Sequence, residues 1–420
     1  MRRSGENMAG QLQLSFVSFK KDSYIIVEGK QNADRFFIIQ QGTVKLSKEV
    51  EVVAEERGNM LGPGDFFGVV ATMSSHSHIE TAKAVTDVVV ISVHKFQYGD
   101  LIQNNTPVAM KIITQFSKRL RYLDEALSRL TLKNTAEADT SHLFNVAEHY
   151  LRQSQYNQAF YSYSQYLKYC PNGEHRDEAV KRMKTIAMYV KDTMKVWKSD
   201  ESNRVYKKDS MIFAEGEPGN ELFIIQKGSV TIAKIVDNKE VLLAVLKPGD
   251  IFGEMALLEA KPRAASAVAY EECTLLAVNQ ANFVQMIKTQ PQLIARLTTL
   301  LADRIWLIYK HLANTLLSDP LGRMYDALQI QLEKSRVSLE GGGAHTFDFG
   351  PKELANMVGL QQGEANLLLR KMMEDGRIRV ENGKLHTSSI YEIVRHTEFY
   401  RKMQRIENAR ENAREAARSQ

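Results

Sequence analysis

A short stretch in the second half of the chain brings an acidic and a basic side chain together with small residues. It runs Phe252-Gly253-Glu254-Met255-Ala256-Leu257-Leu258 and then Glu259-Ala260-Lys261-Pro262-Arg263-Ala264-Ala265-Ser266. A phosphate diester carries one negative charge on two free oxygens, and backbone N–H groups at a helix start bind it well together with an arginine fork. Arg263 supplies the fork, and Gly253 allows close approach of the backbone. The pattern favours a binding site for an anionic phosphate.

Glu254 is the residue in this stretch that a phosphate alone does not explain. A carboxylate beside a phosphate is repulsive unless it has another partner. The 2′-hydroxyl of a ribose would donate a hydrogen bond to it, and Glu254 would neutralise Arg263 while the pocket is empty. The opposing interpretation is a surface ion pair worth at most about 1 kcal/mol, which does not explain the glycine, the alanines and the spacing together.

The stretch from 252 to 266, called the cassette below, resembles the phosphate-binding cassette of cyclic-nucleotide-binding domains. These domains occur in catabolite-activator-type (Crp/Fnr-like) regulators and in regulatory subunits of cAMP-dependent kinase. The resemblance implies that Glu254 binds the ribose hydroxyl, that Arg263 binds the phosphate, and that backbone amides of Ala256 and Ala264 complete the cradle. Alanine rather than threonine at position 264 resembles cAMP-selective members, so cAMP is expected and cGMP is the less favoured ligand. The expected ligand residues are Gly253, Glu254, Met255, Ala256, Arg263, Ala264, Ala265 and Tyr309.

The chain contains a second, similar unit upstream of the cassette. The run Phe-Ile-Ile-Gln occurs at 37–40 and 223–226, and Pro-Gly-Asp occurs at 63–65 and 248–250. Both copies consist of short β-branched and aromatic runs between glycine turns, which predicts two small β-barrels or rolls.

The first copy lacks the charged pair of the cassette. Val69 stands where the second copy has Glu254, and His78 stands where it has Arg263. His76 and His78 are expected to be exposed loop residues, uncharged at neutral pH. We therefore expect the first copy to be degenerate or structural, with binding of a different ligand as the alternative.

A long helix with one apolar face is predicted after each barrel, around residues 112–130 and 293–312. Such a helix favours a dimer seam between two chains, and packing onto its own barrel is the alternative. In kinase-type relatives an aromatic residue of this helix region caps the base. Tyr309 or Trp306 is expected to stack on the purine here, and a place in the core is the alternative for each.

An all-helical insert separates the two copies. The spacing of small and aromatic residues from 141 to 171 resembles a single tetratricopeptide repeat, and a helix from 174 to 190 is expected to cap it. A rigid spacer is the favoured interpretation. A surface that binds a protein partner is the alternative.

The C-terminal region predicts a helix, a turn, a second helix and a hairpin. Ser318-Asp319-Pro320 breaks the long helix before it, Pro351 opens a helix that Gly359 ends, and Asn382-Gly383 predicts a hairpin turn. This order resembles the winged helix-turn-helix of catabolite-activator-type transcription factors, in which the second helix enters the major groove. The DNA contacts expected from it are Lys352, Gln361, Gln362, Asn366, Arg370, Arg377, Arg379 and Lys384.

Three consecutive leucines in the second helix of this region support an alternative. Leu367, Leu368 and Leu369 cannot all face one side of a helix, so at least one of them faces outward. The domain would then be an interaction surface for protein instead of DNA. The charged tail from 401 to 418 is expected to be a solvated helix.

The composition fits a multidomain α+β protein. Apolar residues make up 44% and charged residues 25% of 420 residues, which is typical of folded chains, and the formal charge of +5 is too small to indicate nucleic-acid binding by itself. The two cysteines lack metal-ligand spacing, and no apolar run approaches the roughly 18 residues that span a bilayer. We expect a cytoplasmic protein without a metal, a cofactor, a membrane partner or catalytic residues. The expected domains are 12–132, 140–195, 203–317 and 319–395, followed by a helical tail at 396–420.

These observations predict a cAMP-responsive transcription regulator that forms a homodimer. The alternative is a cAMP-binding scaffold or regulatory partner whose winged domain does not bind DNA. An enzyme is the third and least favoured interpretation.

Overall fold

The computed structural model describes residues 14–31, 33–48, 59–132, 140–190, 201–236, 239–340, 342–360, 362–374 and 376–418. The chain divides into two compact units. The first-barrel unit comprises residues 1–96 and 302–420, and the second-barrel unit comprises residues 97–301. Each unit therefore contains one of the two repeated copies, and the division falls inside the second long helix.

The first barrel consists of two antiparallel sheets around an apolar core. Its sheets have the strand orders β1-β8-β3-β6 and β2-β7-β4-β5, and one short helix follows β6. The elements are β1 (Ser15–Phe19), β2 (Tyr24–Ile26), β3 (Arg35–Gln41), β4 (Val44–Ser47), β5 (Met60–Leu61), β6 (Phe66–Phe67), α1 (Val69–Ser74), β7 (Thr81–Ala84) and β8 (Val88–His94). Phe37, Ile39 and Phe67 are buried between the sheets because alternate residues of each strand face inward.

Two helices and the helical insert follow in the second-barrel unit. They are α2 (Tyr98–Asn104), α3 (Thr106–Leu132), α4 (His142–Arg152), α5 (Tyr156–Tyr169) and α6 (Arg176–Ile186). A 3-10 turn at Ala187–Tyr189 ends the helical insert, which is residues 141–190. The predicted helical hairpin is present, and its identity as a tetratricopeptide repeat stays a prediction.

The second barrel repeats the strand order of the first. Its sheets are β14-β11-β16-β9 and β10-β15-β12-β13. The elements are β9 (Asn203–Tyr206), β10 (Met211–Phe213), β11 (Glu221–Lys227), β12 (Val230–Val236), β13 (Lys239–Leu246), β14 (Ile251–Phe252), α7 (Glu254–Glu259), β15 (Ser266–Ala269), β16 (Cys273–Asn279), α8 (Gln280–Thr289) and α9 (Pro291–Thr315). The sequence repeat thus corresponds to a repeat of the fold.

The helical insert shares one hydrophobic core with the second barrel. Tyr150, Ala159 and Tyr163 of the insert are buried in the same cluster as Met211 and Ala214 of the barrel. The short helices of the insert therefore bury apolar faces on the barrel, and the interpretation of the insert as a rigid spacer stays a prediction.

The apolar face of α3 is buried against helices of the other copy. Within the second-barrel unit, α3 packs on α2, α7 and α8. Arg121 Nε donates to Glu259 Oε2 of α7 at 2.9 Å, and Ser117 Oγ donates to Glu259 Oε1 at 2.6 Å. Neither alternative from the sequence describes this packing, because the partner is the second barrel of the same chain. A homodimer stays a prediction.

The later part of α9 packs in the first-barrel unit. The Trp306 ring stacks on His76 with centroids 4.1 Å apart, and the Tyr309 hydroxyl donates to Glu28 Oε1 at 3.1 Å. The two copies therefore exchange helices, since each barrel is covered partly by the helix that follows the other barrel.

The C-terminal region of the first-barrel unit has the predicted order of elements. They are α10 (Pro320–Lys334), β17 (His345–Thr346), α11 (Pro351–Met357), α12 (Gln362–Met373), β18 (Ile378–Glu381), β19 (Lys384–Thr387) and α13 (Ile390–Arg418). The three strands form one sheet in the order β17-β19-β18. Asp319 caps α10 by accepting hydrogen bonds from the N–H groups of Leu321 and Gly322. Asn382 and Gly383 both have positive φ, as the predicted hairpin turn requires.

The last helix differs from the expected solvated tail. It begins at Ile390, before the expected boundary at 396, because Ile390 and Ile393 belong to the core of the C-terminal region. Arg401 Nε donates to Asp326 Oδ1 at 2.8 Å, and Asn314 Nδ2 donates to Asp326 Oδ2 at 2.9 Å. Asp326 is completely buried. The start of the tail is therefore an integral part of the domain.

Among the described helices, none is long and apolar enough to pass through a lipid bilayer. Within the described ranges, no three His, Cys, Asp or Glu side chains cluster as a metal site would require. Cys170 and Cys273 are free thiols.

Replacing Arg401 by alanine is expected to destabilise the C-terminal region. The change leaves the buried Asp326 carboxylate without its cationic partner, which should lower the free energy of unfolding by about 3 kcal/mol. Urea denaturation combined with hydrogen exchange of α10 measures the effect. Lys402→Ala, at an exposed position of the same helix, is the matched control. Equal stability of the two variants would contradict the role of this pair.

Candidate ligand site in the second barrel

The cassette has an unusual backbone that both copies share. Gly253 precedes α7 with φ of 76°, and Ala260 follows it with φ of 53°. Gly68 and Ser75 flank α1 of the first barrel with φ of 80° and 57°. The one-turn helix and its left-handed ends are therefore kept in both copies, while the side chains differ.

Arg263 lies inside the second barrel although its side chain is charged. Only 5% of the residue is exposed. Nη1 donates to the carbonyl of Gly253 at 2.6 Å, and the guanidinium lies over the Phe213 ring at 4.1 Å from its centroid. An aromatic face attracts a cation, so Phe213 offsets part of the cost of burial.

Arg263 Nε is a buried donor that has no hydrogen-bond acceptor among the described residues. A buried donor without an acceptor costs about 1–3 kcal/mol. An anion with several acceptor oxygens would satisfy it. The residues present therefore fit the phosphate ligand that the sequence predicts.

Two glycines make room for the guanidinium. A Cβ atom at Gly219 would lie 2.3 Å from Arg263 Nε, and one at Gly253 would lie 2.7 Å from Nη1. Only the absence of a side chain allows these contacts. The close backbone approach predicted at Gly253 is thus an approach to Arg263.

The charges of three carboxylates act on the Arg263 guanidinium. Burial lowers the pKa of Arg263, and the charges of Glu217, Glu221 and Glu254 act against this effect. An arginine pKa lies so far above neutrality that the group stays charged. Arg204 holds Glu221 by two hydrogen bonds of 2.7 and 2.8 Å. Glu254 is buried beside the helix start, as a ribose contact would require.

Several residues of this site were missed by sequence reasoning. Phe213, Glu217, Gly219 and Glu221 all come from the segment that connects β10 to β11 or from the ends of these strands. One signal was available in the sequence. Lys30 follows the first-copy turn where Glu217 follows the second-copy turn, so the charge is reversed in the copy that lacks the arginine.

The remaining expected ligand residues lie at different places. Met255 and Ala256 are buried in α7, while Ala264 and Ala265 are partly exposed between Arg263 and β15. Tyr309 has its described hydrogen bond with Glu28, and Lys48 lies 5.6 Å from its ring centroid. Both partners belong to the first barrel. Stacking of Tyr309 on a purine stays a prediction.

The corresponding loop of the first barrel is filled by protein side chains. His76 and His78 are buried, so the expectation that they are exposed is wrong; α9 covers the loop through Trp306. Burial lowers the pKa of His78, which keeps the ring neutral at physiological pH. Ser77 Oγ donates to Glu333 Oε2 of α10 at 3.3 Å. The loop therefore packs on the C-terminal region, which supports a structural role.

The expected DNA contacts are distributed over α11, α12 and the hairpin. Lys352, Asn366 and Arg370 are exposed on the two helices. The remaining cations are in ion pairs, namely Arg377 with Glu392, Arg379 with Glu381 and Lys384 with Asp348. Gln361 lies outside the described residues, and of Gln362 only the backbone is described.

The exposed pairs are weak and leave these cations available for phosphates. Leu367 is 70% exposed, and Leu369 is buried. The expectation that one of the three leucines faces outward is thus confirmed.

Comparison with known proteins identifies the two barrels. A family model described as "Cyclic nucleotide-binding domain" matches residues 16–105 and 203–290. The chain is 31% identical over 186 residues to a "CRP-like cAMP-activated global transcriptional regulator" of Mycobacterium tuberculosis, covering 44% of this chain and 83% of the relative. It is 29% identical to the "Cyclic AMP receptor protein" of Thermus thermophilus, covering 43% of this chain and 81% of the relative. The crystal structure of the Thermus thermophilus catabolite activator protein is 26% identical, covers 47% of this chain and 90% of that chain, and has a TM-score of 0.25.

Replacing Gly219 by alanine is expected to displace the Arg263 guanidinium. The new methyl group would overlap Nε, and relief of such overpacking costs about 1–3 kcal/mol. Urea denaturation should show this loss of stability. Gly62→Ala is the control, because a Cβ atom at Gly62 meets nothing within 4 Å. A Gly219→Ala protein as stable as the control would show that the guanidinium is not held in this position.

Proposed function

Because this chain belongs to the Crp/Fnr family of proteins with cyclic-nucleotide-binding domains, we propose that it is a cAMP-responsive transcription regulator. The observation that carries this proposal is the buried Arg263, whose Nε has no acceptor among the described residues. The second barrel is the sensor in this proposal. The first barrel is a structural copy without the charged pair.

The ligand would complete the hydrogen bonds of the cassette. Its phosphate oxygens would accept from Arg263 Nε and from the amides of Ala256 and Ala264, and its ribose hydroxyl would donate to Glu254. A charge-assisted contact of this kind is stronger than a neutral one. Ala264 in place of threonine is the reason for proposing cAMP before cGMP.

The cassette is connected to α3 by a buried network. Arg121 bonds Glu259 at the end of α7, and its Nη1 also donates to the carbonyl of Pro262, next to Arg263, at 3.2 Å. A ligand that moves Arg263 would change the contacts of Arg121. Switching additionally requires that the ligand bind two arrangements of the protein with different affinity. This network is a route by which the two arrangements could differ.

The C-terminal region is proposed to bind DNA as a winged helix-turn-helix. Exposed cations on α11, α12 and the hairpin would contact phosphates, and α12 would lie in the major groove. Two chains in a homodimer would present two such domains to two half-sites. A cAMP-binding scaffold remains the second candidate, because Leu367 offers an exposed apolar contact for a protein.

Arg263→Ala and Glu254→Ala are each expected to weaken cAMP binding by about 2 kcal/mol or more, since each removes one partner of a buried polar contact. This corresponds to roughly a 30-fold increase in Kd. Isothermal titration calorimetry on nucleotide-free protein measures it. His78→Ala, at the matching position of the first barrel, should leave the affinity unchanged. Unaltered binding by both cassette variants would refute the assignment.

DNA binding is expected to depend on cAMP and to fall steeply with salt, because phosphate contacts release counterions. Lys352→Ala and Arg370→Ala should each reduce the slope of log affinity against log salt by about one. Fluorescence anisotropy with random and genomic DNA measures both quantities, with Lys207→Ala on the second barrel as control. If the cAMP-bound protein has no salt-dependent affinity for DNA, the scaffold is the better description.

A further inference from the structure

A tyrosine of the helical insert reaches the ligand site of the second barrel. Tyr161 lies on α5, and its hydroxyl lies 3.0 and 3.2 Å from the two carboxylate oxygens of Glu217 and 3.3 Å from the carbonyl of Ile212. A hydroxyl carries one proton, and a charged carboxylate is the stronger acceptor. Tyr161 therefore donates to Glu217.

Glu217 lies on the segment that pairs with Arg263. The Arg263 N–H donates to the Glu217 carbonyl at 2.8 Å, and the Gly216 N–H donates to the Arg263 carbonyl at 2.9 Å. The Ala214 N–H donates to the Glu217 carboxylate at 2.9 Å. The carboxylate held by the insert and the guanidinium of the ligand site are thus on two hydrogen-bonded segments.

The charge of Glu217 acts on the same guanidinium that the phosphate would meet. Burial raises the pKa of Glu217 above its usual value, although the Ala214 amide, the Tyr161 hydroxyl, Arg263 and Lys168 each act to lower it. Burial also raises the pKa of Tyr161, with Glu217 and Tyr206 adding to the effect and Arg263 opposing it. Tyr161 therefore remains a protonated donor at physiological pH.

We propose that Tyr161 is a positioning residue of the ligand pocket: it holds Glu217 as a carboxylate beside Arg263, so that the helical insert opposes the binding of an anionic nucleotide. This inference rests on the proposed function of the second barrel as a cyclic-nucleotide sensor. It gives the insert a role in setting the affinity of the sensor.

A dependence of affinity on pH follows from this arrangement. A bound anion near Glu217 stabilises its protonated form, so the pKa of Glu217 is higher with ligand than without it. Binding then takes up a proton, and affinity rises as the pH falls through the pKa of Glu217. By reciprocity, nucleotide binding weakens the attraction between the insert and this segment.

Two substitutions test the proposal by calorimetric titration with cAMP between pH 5 and pH 8. Glu217→Gln removes the competing charge and should bind cAMP roughly 3- to 10-fold more tightly at pH 7.5 with little pH dependence, since one pKa unit corresponds to a factor of ten. Tyr161→Phe removes the donor that favours the carboxylate. As the pH is lowered, the affinity of the Tyr161→Phe protein for cAMP should therefore begin to rise at a higher pH than that of the wild-type protein.

Tyr169→Phe is the matched control, because it changes a tyrosine of the same helix whose ring centroid lies 4.7 Å from Lys168 Nζ. The proposal is overturned if Tyr161→Phe and Glu217→Gln keep the wild-type affinity and pH profile. It is also overturned if Tyr161→Phe only lowers the affinity and leaves the profile in place, because that result indicates packing alone.

A measurement without ligand separates this inference from the proposed function. Wild-type protein that takes up no cAMP at any pH would contradict the proposed function. In that case, hydrogen exchange at the amides of Gly216 and Arg263 still tests the contact. Faster exchange in Tyr161→Phe than in Tyr169→Phe supports the positioning role, and equal exchange rejects it.

Discussion

The guanidinium of Arg263 inside the second barrel is the charge around which the candidate ligand site is arranged. Removing a charge from water is costly unless other groups compensate for it. The Phe213 ring, the Gly253 carbonyl and nearby carboxylates supply that compensation. Gly219 and Gly253 supply the space. The arrangement of the cassette and of the loop before β11 thus accommodates one buried cation. One N–H donor of that cation, Arg263 Nε, lacks an acceptor among the described residues.

The exchange of helices between the copies connects the segment that carries Arg263 to a helix from the other half of the chain. The cassette is bound through Glu259 to α3, which follows the first barrel. The equivalent loop of the first barrel is covered by Trp306 of α9 and contacts Glu333 of α10. One copy keeps the glutamate and the arginine of the cassette, and the other uses the same backbone as a packing surface. A duplicated fold has thereby acquired two different uses within one chain.

The sequence predicts the features that depend on local chemistry. The repeat, the helix break at Ser318-Asp319-Pro320 and the hairpin turn at Asn382 are all read from neighbouring residues. Apolar periodicity in α3 shows that one face of the helix is buried, but it does not indicate which element of the protein that face packs against. Burial of His76 depends on Trp306, which lies far along the chain, and Tyr161 meets Glu217 across 56 residues. Such contacts leave no local pattern, so only the folded chain reveals them.

The exchanged helices also determine what happens when the chain is divided. A fragment that ended between the copies would carry the first barrel without the helix segment that covers its loop, and α3 without α7 and α8. The first barrel and α3 would then expose apolar surface to solvent, which favours aggregation. A proteolytic cut near residue 195 would consequently favour aggregation of both pieces, and a premature stop codon there would leave only the first piece, with the same exposed apolar surface.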